Sequence, residues 1–269
     1  MTTMVPETPQ STHPPGRRST REYWDTRHAT SRPEASGTLT HSSAANGWFY
    51  RAKKKRILEI FRRSQIPLKG LRVLDAACGS GEFVDCFLRE GAEFILGLDF
   101  SPIAISSCRK RFSDAPQCHF SCFDLSRELP TETVESFDLV SCFEAIYLLP
   151  SAEDFENGLC NLCTALKPGG HLLISDHFPL TSKMRHDDLI HRSHNLYKKI
   201  FDECRLREIG VYLQTAVFNH PILPLRFQSY VEIYLPWSLY LLDRLLLHLG
   251  QPAIPPAHRY YYLIAQKEP

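Results

Sequence analysis

The sequence predicts an α/β protein with a doubly wound, mostly parallel sheet that is covered by helices on both faces. Short apolar runs, typical of buried strands, alternate with segments whose apolar residues recur at helical spacing. The first run, Leu71 to Leu74, ends at Asp75, and a turn of small residues with Gly79 and Gly81 leads from it into a helical pattern. The chain has 269 residues, of which 43% are hydrophobic, so it can bury one substantial core of this kind.

The N-terminal part precedes this alternation. Residues 1–18 are rich in Pro, Thr and Ser and are predicted to be disordered, and residues 19–50 are predicted to form an arm of the main domain. Residues 49–64 are predicted to form an amphipathic helix with one apolar face and one solvated basic face. The basic face is expected to hold Arg51, Lys53, Lys54, Lys55, Arg56, Arg62 and Arg63.

The alternating part runs from residue 71 to residue 175. Strands are predicted at 71–75, 94–98, 118–122, 137–142 and 170–175, and helices at 82–90, 102–112 and 153–166. Pro102 suits a first helical turn, where its missing N–H costs nothing. The sequence Lys-Pro-Gly-Gly at 167–170 ends a helix and turns the chain into the fifth strand.

The C-terminal part is predicted to add a helix at 197–209, a strand at 208–218 and a last strand at 260–265. A polar segment rich in His and Asp, 180–196, is expected to form a lid. An insertion, 220–258, separates the last two strands and carries Leu239, Leu242, Leu246 and Leu249 at helical spacing. This stripe favours a helix packed on the main domain. A dimer surface and a membrane or lipid-substrate surface are the alternatives, so a monomer and a homodimer both stay open.

Composition and charge argue against several classes of protein. The net charge of +1 gives no electrostatic reason to expect a nucleic-acid partner. The nine cysteines follow no pairing pattern, which is typical of free thiols in the cytosol, and the CxxC at Cys160 and Cys163 has no second pair for a metal. No signal peptide is visible, and charges and Pro236 interrupt the apolar window 230–249. We therefore expect a cytoplasmic protein with neither a metal site nor a stable membrane span.

The glycine turn after the first strand indicates a bound cofactor that contains a nucleoside. Glycine lets a ligand approach the backbone closely, and the start of a helix directs free N–H groups at it. The dinucleotide fingerprint is incomplete, because Val84 stands where a third glycine is needed. A carboxylate at Asp75 would repel a pyrophosphate but suits a cationic amino-acid ligand. Asp99, at the end of the second apolar run, can accept hydrogen bonds from ribose hydroxyls.

These motifs resemble those of the class I S-adenosylmethionine-dependent methyltransferases of the small-molecule type. The matching segments are Leu-Asp-Ala-Ala-Cys-Gly-Ser-Gly at 74–81, Gly-Leu-Asp-Phe-Ser at 97–101, Asp124, Phe-Asp-Leu-Val at 137–140 and Leu-Lys-Pro-Gly-Gly at 166–170. The resemblance implies a Rossmann-like, seven-stranded mixed sheet with strand order 3-2-1-4-5-7-6, here with a helical cap insertion. Residues 19–269 are then a single domain, and S-adenosyl-L-methionine is the expected cofactor.

The resemblance also assigns cofactor contacts by position. Asp75 is expected near the methionine amino group, Asp99 at the ribose hydroxyls and Asp124 at the adenine amino group. The remaining expected contacts are Ala77, Cys78, Gly79 and Gly81 along methionine and ribose, Phe100 and Leu125 beside adenine, and Cys142 and Phe143 near the methionine part. In the resembled family an N-terminal arm often folds over the cofactor, so Trp24 and Tyr50 could line the pocket.

The acceptor of the methyl group should approach over the carboxyl ends of the fourth and fifth strands. Three candidate catalytic residues lie there, Glu144, Tyr147 and His177. His177 could take a hydroxyl proton at neutral pH, since the pKa of an imidazole lies near neutrality. Glu144 could accept a proton or pair with a cationic acceptor.

The predicted function is methyl transfer to O, N or C of a small, fairly apolar metabolite. An alternative is an enzyme of the same fold that binds the cofactor but catalyses a non-methylating reaction, such as a cyclisation. RNA or protein methylation is less favoured. Enzymes that methylate exocyclic base amines carry an Asn/Asp-Pro-Pro-aromatic motif where this chain has Ser-Cys-Phe-Glu at 141–144.

Overall fold

The computed structural model describes residues 21–29, 43–185, 189–217, 231, 235–250 and 259–269. The predicted disordered tail, 1–18, and most of the predicted insertion, 220–258, lie outside these residues. Within them, no helix is both long enough and apolar enough to span a bilayer.

Seven helices and nine strands make up the described chain. The helices are α1 Arg21–His28, α2 Ser43–Arg63, α3 Glu82–Arg89, α4 Pro102–Arg111, α5 Ala152–Ala165, α6 His194–Glu203 and α7 Pro236–Leu249. The strands are β1 Arg72–Ala76, β2 Phe94–Asp99, β3 Cys118–Cys122, β4 Phe137–Cys142, β5 Leu166–Asp176, β6 Lys183–Arg185, β7 Leu189–His191, β8 Leu206–Leu213 and β9 Tyr261–Lys267. Two single 3-10 turns, Thr131–Thr133 and Ile146–Leu148, flank β4.

Seven of the strands form one mixed sheet in the order β3-β2-β1-β4-β5-β9-β8. The first five are parallel, whereas β9 is antiparallel to both β5 and β8. This confirms the predicted order 3-2-1-4-5-7-6. Only the strand numbers differ, because the chain adds a short antiparallel hairpin, β6–β7, before the last two strands.

The sheet is buried on both faces, as a parallel sheet requires. Successive residues of a strand point to opposite faces, so Val73 of β1 packs in one core cluster and Leu74 in the other. The first cluster lies under α2, α3 and α4, and the second lies under α5 and α6. A third, smaller cluster joins α2 to α7 through Phe49, Ala52 and Leu239. Helix α7 is therefore attached to the face of the domain that α2 covers.

Several predicted boundaries differ from the observed ones. Helix α2 begins at Ser43, six residues before the predicted start at 49. Helix α6 ends at Glu203, not at 209, because Arg205 takes a positive φ of 58° and Leu206 enters the sheet opposite Lys267. Strand β5 already begins at Leu166, where it pairs with Phe137 before a register shift.

The leucine stripe of the insertion faces the domain only in part. Leu239 is buried, and Leu242 and Leu246 pack against the same cluster, as predicted for a helix on the main domain. The prediction is wrong for Leu249, which is 55% exposed at the end of the helix. Trp237, Leu241 and Leu245 are also exposed, because they lie on the opposite side of α7.

Candidate functional site

The carboxyl ends of β1 to β4 border a cavity of about 320 Å³. This is the edge of the sheet at which ligands of open α/β proteins bind. Among the predicted site residues, those that line the cavity are Ala77, Gly79, Asp99, Phe100, Asp124, Leu125 and Glu144. Trp24 and His28 of α1 line it from the arm. Tyr50 instead packs in the core against Phe83, with ring centroids 6.0 Å apart.

The turn between β1 and α3 is held in left-handed backbone conformations. Ala77, Gly79 and Gly81 have positive φ angles of 56°, 52° and 79°. At Gly81 a Cβ would lie 2.6 Å from the Phe112 ring, so any larger residue would have to displace that ring. The N–H of Cys78 donates to the carbonyl of Leu98 at 2.9 Å, which fixes the turn to β2. The sequence therefore builds a tight, rigid loop at the cavity.

Asp75 is a buried carboxyl group with an unused oxygen. It lies between Gly97 and Ser141 in the sheet, and it is 1% exposed. The Ser141 hydroxyl donates to Oδ1 at 2.7 Å, but Oδ2 has no hydrogen-bond partner among the residues that the structure describes. Burial raises the pKa of Asp75 from 3.8 to about 7, against the lowering effect of the Ser141 hydrogen bond. A cationic donor next to Oδ2 would give this oxygen a hydrogen-bond partner and would stabilise the ionised form of Asp75.

Asp99 at the end of β2 organises the cavity wall. Its Oδ2 accepts from the Gly79 N–H and its Oδ1 from the Ser101 N–H, both at 2.9 Å. Burial raises the pKa of this carboxyl group, while the two backbone donors oppose the rise. Each carboxylate oxygen can accept a second hydrogen bond, so Asp99 can still serve a ligand.

Helix α1 closes one side of the cavity above Asp99. The Ser101 hydroxyl donates to Asp25, which ties α1 to the start of α4. Trp24 and His28 of the same helix stack with ring centroids 6.0 Å apart. Burial lowers the pKa of His28 to about 4, so this imidazole is neutral at neutral pH and adds no positive charge to the wall.

The loop after β3 forms the third side of the cavity. Asp124 accepts hydrogen bonds from the Ser126 N–H at 3.1 Å and the Ser126 hydroxyl at 2.8 Å, which makes a local turn. Leu125 is fixed in turn by Asn161, whose side-chain amide donates to the Leu125 carbonyl at 2.8 Å. Asp124, Leu125 and Phe100, which were all expected to contact the adenine, thus lie in the wall of the same cavity.

Five predicted cofactor contacts are not among the residues that line the cavity, namely Asp75, Cys78, Gly81, Cys142 and Phe143. Cys78 is buried beside Gly97, with its Sγ 3.0 Å from the position of a Cβ there. Cys142 is fully buried in the core, and Phe143 packs on Phe83 with ring centroids 4.3 Å apart.

Glu144 is the candidate catalytic residue that borders the cavity. Its backbone has a positive φ of 56°, and its N–H donates to the Ser175 hydroxyl at 2.8 Å. Its Oε1 lies 2.5 Å from Nζ of Lys53 and accepts from the Gln214 amide at 3.0 Å. Strained backbone of this kind persists where the surroundings fix it and is common at functional sites.

Lys53 is the residue that sequence reasoning misplaced most clearly. It was expected on the solvated face of α2, but it is 1% exposed and its Nζ lies 3.8 Å from the ring centroid of Phe49. Arg56 is buried too and donates to the Leu213 carbonyl at 2.9 Å. Burial lowers the pKa of Lys53, although the neighbouring Glu144 opposes this. The basic run on this helix carried no signal that Lys53 and Arg56 are buried and that each finds a partner in another part of the chain.

His177 and Tyr147 belong to a second group of side chains, beyond the end of β5, and do not border the cavity. The rings of Tyr147, His177, His191 and Tyr260 pack together, with centroids of His177 and Tyr260 only 3.8 Å apart. Asp176, at the end of β5, is buried beside these rings. His191 is buried too, although the segment 180–196 to which it belongs was expected to form a polar lid. Within the described chain, no group of three or more His, Cys, Asp or Glu side chains could hold a metal ion.

Comparison with known proteins agrees with this geometry. Residues 73–170, which hold the glycine turn, Asp75, Asp99 and Asp124, match a family model described as a methyltransferase domain. Over residues 73–170 the chain is therefore similar to a methyltransferase domain. The match covers the strands that build the cavity and leaves out α1, α2 and the last two strands of the sheet.

Individual relatives match only part of this chain. A ubiquinone biosynthesis O-methyltransferase of Coxiella burnetii is 29% identical over 142 residues, which are 50% of this chain and 58% of that protein. A tRNA U34 carboxymethyltransferase of Hahella chejuensis is 36% identical over 110 residues, 40% of this chain and 32% of that protein. The chain thus spans little more than half the length of the Coxiella relative.

A solved structure matches nearly the whole fold of this chain. The magnesium protoporphyrin IX methyltransferase of Synechocystis, solved with bound S-adenosylmethionine, superposes with a TM-score of 0.58. The alignment covers 92% of this chain and 95% of the other at 14% identity. At that identity the likeness establishes the shared fold alone.

Proposed function

We propose that the chain binds S-adenosyl-L-methionine in the cavity and transfers its methyl group to a small, fairly apolar metabolite. The observation that carries this proposal is the unused, buried Oδ2 of Asp75 beside a glycine turn. A buried carboxylate oxygen without a hydrogen-bond partner is costly and needs an explanation. The cationic amino group of this cofactor is a partner of the right charge.

The residues present fit the cofactor at each of its parts. Asp75 would hold the amino group, the backbone from Ala77 to Gly81 would follow the methionine and ribose, and Asp99 would accept from the ribose hydroxyls. Asp124, Leu125 and Phe100 would surround the adenine. When bound, the cofactor supplies a methyl group that is already activated by the positive sulfonium. The protein then has to hold the acceptor in line with it, which can contribute several kcal/mol.

The acceptor would lie beyond Glu144, where apolar side chains continue the wall. Leu148, Leu149 and Pro150 also line the cavity. Lys53 and Gln214 hold the Glu144 carboxylate in place, so Glu144 can orient a polar group of the acceptor at an otherwise apolar surface. The name of the Coxiella relative, an O-methyltransferase of ubiquinone biosynthesis, supports an acceptor that combines a hydroxyl group with an apolar body.

Methylation of RNA is the main competing reaction, because a tRNA-modifying enzyme is among the relatives. The net charge of +1 argues against it, since nucleic-acid binding rests on phosphate contacts from Lys and Arg. A non-methylating reaction on the same cofactor is the second competitor.

The test is incubation with methyl-labelled S-adenosylmethionine and four probes: dodecyl gallate, dodecylaniline, bulk tRNA and a peptide mixture. We expect the label in an alkylated small molecule, together with release of S-adenosylhomocysteine. Label in tRNA or peptides alone would contradict the small-molecule assignment. Calorimetry with S-adenosylmethionine comes first, and the absence of binding would refute the whole proposal.

A further inference from the structure

An apolar stripe runs along the outer side of α7. Between 47% and 56% of each side chain is exposed in Trp237, Leu241, Leu245 and Leu249. These residues recur every fourth position, so they follow one side of the helix, and that side faces away from the buried Leu239. We call these four residues the outer stripe. Contiguous exposed apolar surface of this kind marks a contact with a protein or a membrane.

A row of cations follows the exposed side of α2. This basic edge consists of Arg51, Lys55, Arg62 and Arg63, which are all exposed. Within the described part of the chain, none of the four forms a salt bridge. The acid on this side of α2, Glu59, is already paired with Arg56 and with Arg244 of α7. The basic edge therefore keeps its positive charge.

The outer stripe and the basic edge are neighbours, because α7 packs on α2. The rings of Trp48 and Tyr240 lie 5.4 Å apart, centroid to centroid. The Arg51 guanidinium lies 4.9 Å from the centroid of the same Trp48 ring. Tyr240 in turn adjoins Trp237 of the outer stripe, since residues three apart are neighbours on a helix. The two helices thus present one surface, with apolar side chains on α7 and cations on α2.

We propose that this surface docks onto an anionic lipid bilayer. A helix at a membrane interface buries its apolar side between headgroups and acyl chains, while Lys and Arg beside it bind anionic headgroups. Here the outer stripe supplies the apolar side and the basic edge supplies the cations. An anionic bilayer matches both, because it carries negative headgroups over an apolar interior. Such docking needs neither cofactor nor acceptor, so the inference goes beyond the proposed function and does not depend on it.

Charge argues against a second copy of the chain as the partner. A twofold symmetric contact places the same patch of both copies face to face. The cations of one basic edge would then lie against those of the other. Helix α7 has a single acidic residue, Asp243, and it is fully buried, so it cannot offset that repulsion across the contact.

The first experiment measures sedimentation of the full chain with sucrose-loaded vesicles. One set is phosphatidylcholine alone, and the other is an equal mixture of phosphatidylcholine and phosphatidylglycerol. We expect binding to the mixed vesicles, weakened by high salt, and much less binding to phosphatidylcholine, because the attraction of the basic edge then lacks its anionic partner. Binding to neither set, or equal binding to both, would overturn the inference.

The double variant Leu241→Gln, Leu245→Gln tests the outer stripe. Both side chains are exposed, so the variant should unfold in urea like wild type. We expect it to bind the mixed vesicles about tenfold or more weakly, because the exposed part of each Leu can no longer be buried in the bilayer. Leu180→Gln is the control, since Leu180 is 92% exposed between β5 and β6. Unchanged binding by the double variant, or an equal loss in the control, would overturn the inference.

The double variant Lys55→Gln, Arg62→Gln tests the basic edge. Each cation near an anionic bilayer contributes about fivefold to the affinity, so we expect about 25-fold weaker binding to the mixed vesicles. The control is Lys198→Gln, Lys199→Gln, which removes the same charge from exposed positions of α6, on the other face of the sheet. An equal loss in both double variants would mean that net charge alone drives binding, and it would overturn the proposed surface.

Fluorescence locates the contact without these variants. Lipids with brominated acyl chains quench a Trp that enters the bilayer, and the chain has three, Trp24, Trp48 and Trp237. We expect quenching of wild type by mixed vesicles of such lipids and much less quenching of Trp237→Phe. That variant should still sediment within about threefold of wild type, since a phenyl ring also enters the interface. Equal quenching of both proteins would overturn the inference.

Light scattering without vesicles tests the competing partner, a second copy. We expect the same mass for wild type and for Leu241→Gln, Leu245→Gln. A wild-type dimer that this variant separates into monomers would assign the outer stripe to a contact between copies and would overturn the inference.

Discussion

Replacing Asp75 with Asn should make the cofactor-free protein more stable at neutral pH while weakening its affinity for the cofactor. Burial raises the pKa of Asp75 from 3.8 to about 7. Because the folded pKa lies above the unfolded one, this carboxyl group favours the folded state below about pH 4. That contribution is lost as the pH rises to about 7. At about 1.36 kcal/mol for each pH unit, the loss amounts to about 4 kcal/mol.

The amide of Asp75→Asn cannot ionise, so the variant does not lose stability in this way as the pH rises. Its oxygen can still accept from Ser141, but its NH₂ group would lie where Oδ2 now has no partner, at a cost of roughly 1–3 kcal/mol. We therefore expect a net gain of roughly 1–3 kcal/mol in the free energy of unfolding at pH 8. The same change should weaken binding of S-adenosylmethionine, because the charge that faces its amino group is gone.

Urea unfolding of both proteins, without cofactor, over about pH 4 to 9 measures the effect. The free energy of the variant minus that of wild type should rise by about 1.4 kcal/mol per pH unit between about pH 4 and 7 and then level off. Asp138→Asn is the control, because Asp138 is partly exposed and paired with Lys167 at 2.8 Å. A difference that does not change with pH would refute the reasoning, since Asp75 would then be an ordinary carboxylate in the folded protein.

Two further substitutions probe the same edge of the sheet. Asp99→Asn should weaken S-adenosylmethionine binding by roughly 2 kcal/mol, because a charged acceptor is lost; calorimetry that finds an unchanged affinity would contradict the ribose assignment. Gly81→Ala should destabilise the protein by roughly 1–3 kcal/mol more than Gly169→Ala, because a Cβ at Gly81 would lie 2.6 Å from Phe112. Both glycines have φ +79°, and nothing lies within 4 Å of a Cβ at Gly169, so equal losses in urea unfolding would show that this contact is not limiting.

Local sequence was sufficient for the positions of the parallel strands and for one side of the cavity, whereas the order of the strands in the sheet came from the resemblance to a known family. Apolar runs of strand length and helical repeats depend only on neighbouring residues, so five parallel strands could be placed within a few residues of their observed bounds. The turn around Gly79 and Gly81 is local too, and Asp75 and Asp99 follow from the strands that end there. The final hairpin of the sheet, β8 and β9, was placed through the resemblance to a known family.

The surroundings of Glu144 and Asp176 were beyond the reach of sequence because their contacts join distant parts of the chain. In the sequence, Lys53 is one more cation on a basic helix. In the structure, α2 packs beside the end of β4, and Lys53 forms an ion pair with Glu144. His191 looks like part of a polar loop until the hairpin β6–β7 folds back and places it on Asp176.

What the sequence determined by itself is therefore the parallel strands, the glycine turn and the positions of Asp75 and Asp99 near the ends of their strands, because each depends on residues close together in the chain. Only the tertiary structure decided which charged side chains are buried and with whom they pair. The pairing of Lys53 with Glu144 and of His191 with Asp176 joins packed elements that lie far apart in the chain, and no local pattern records that.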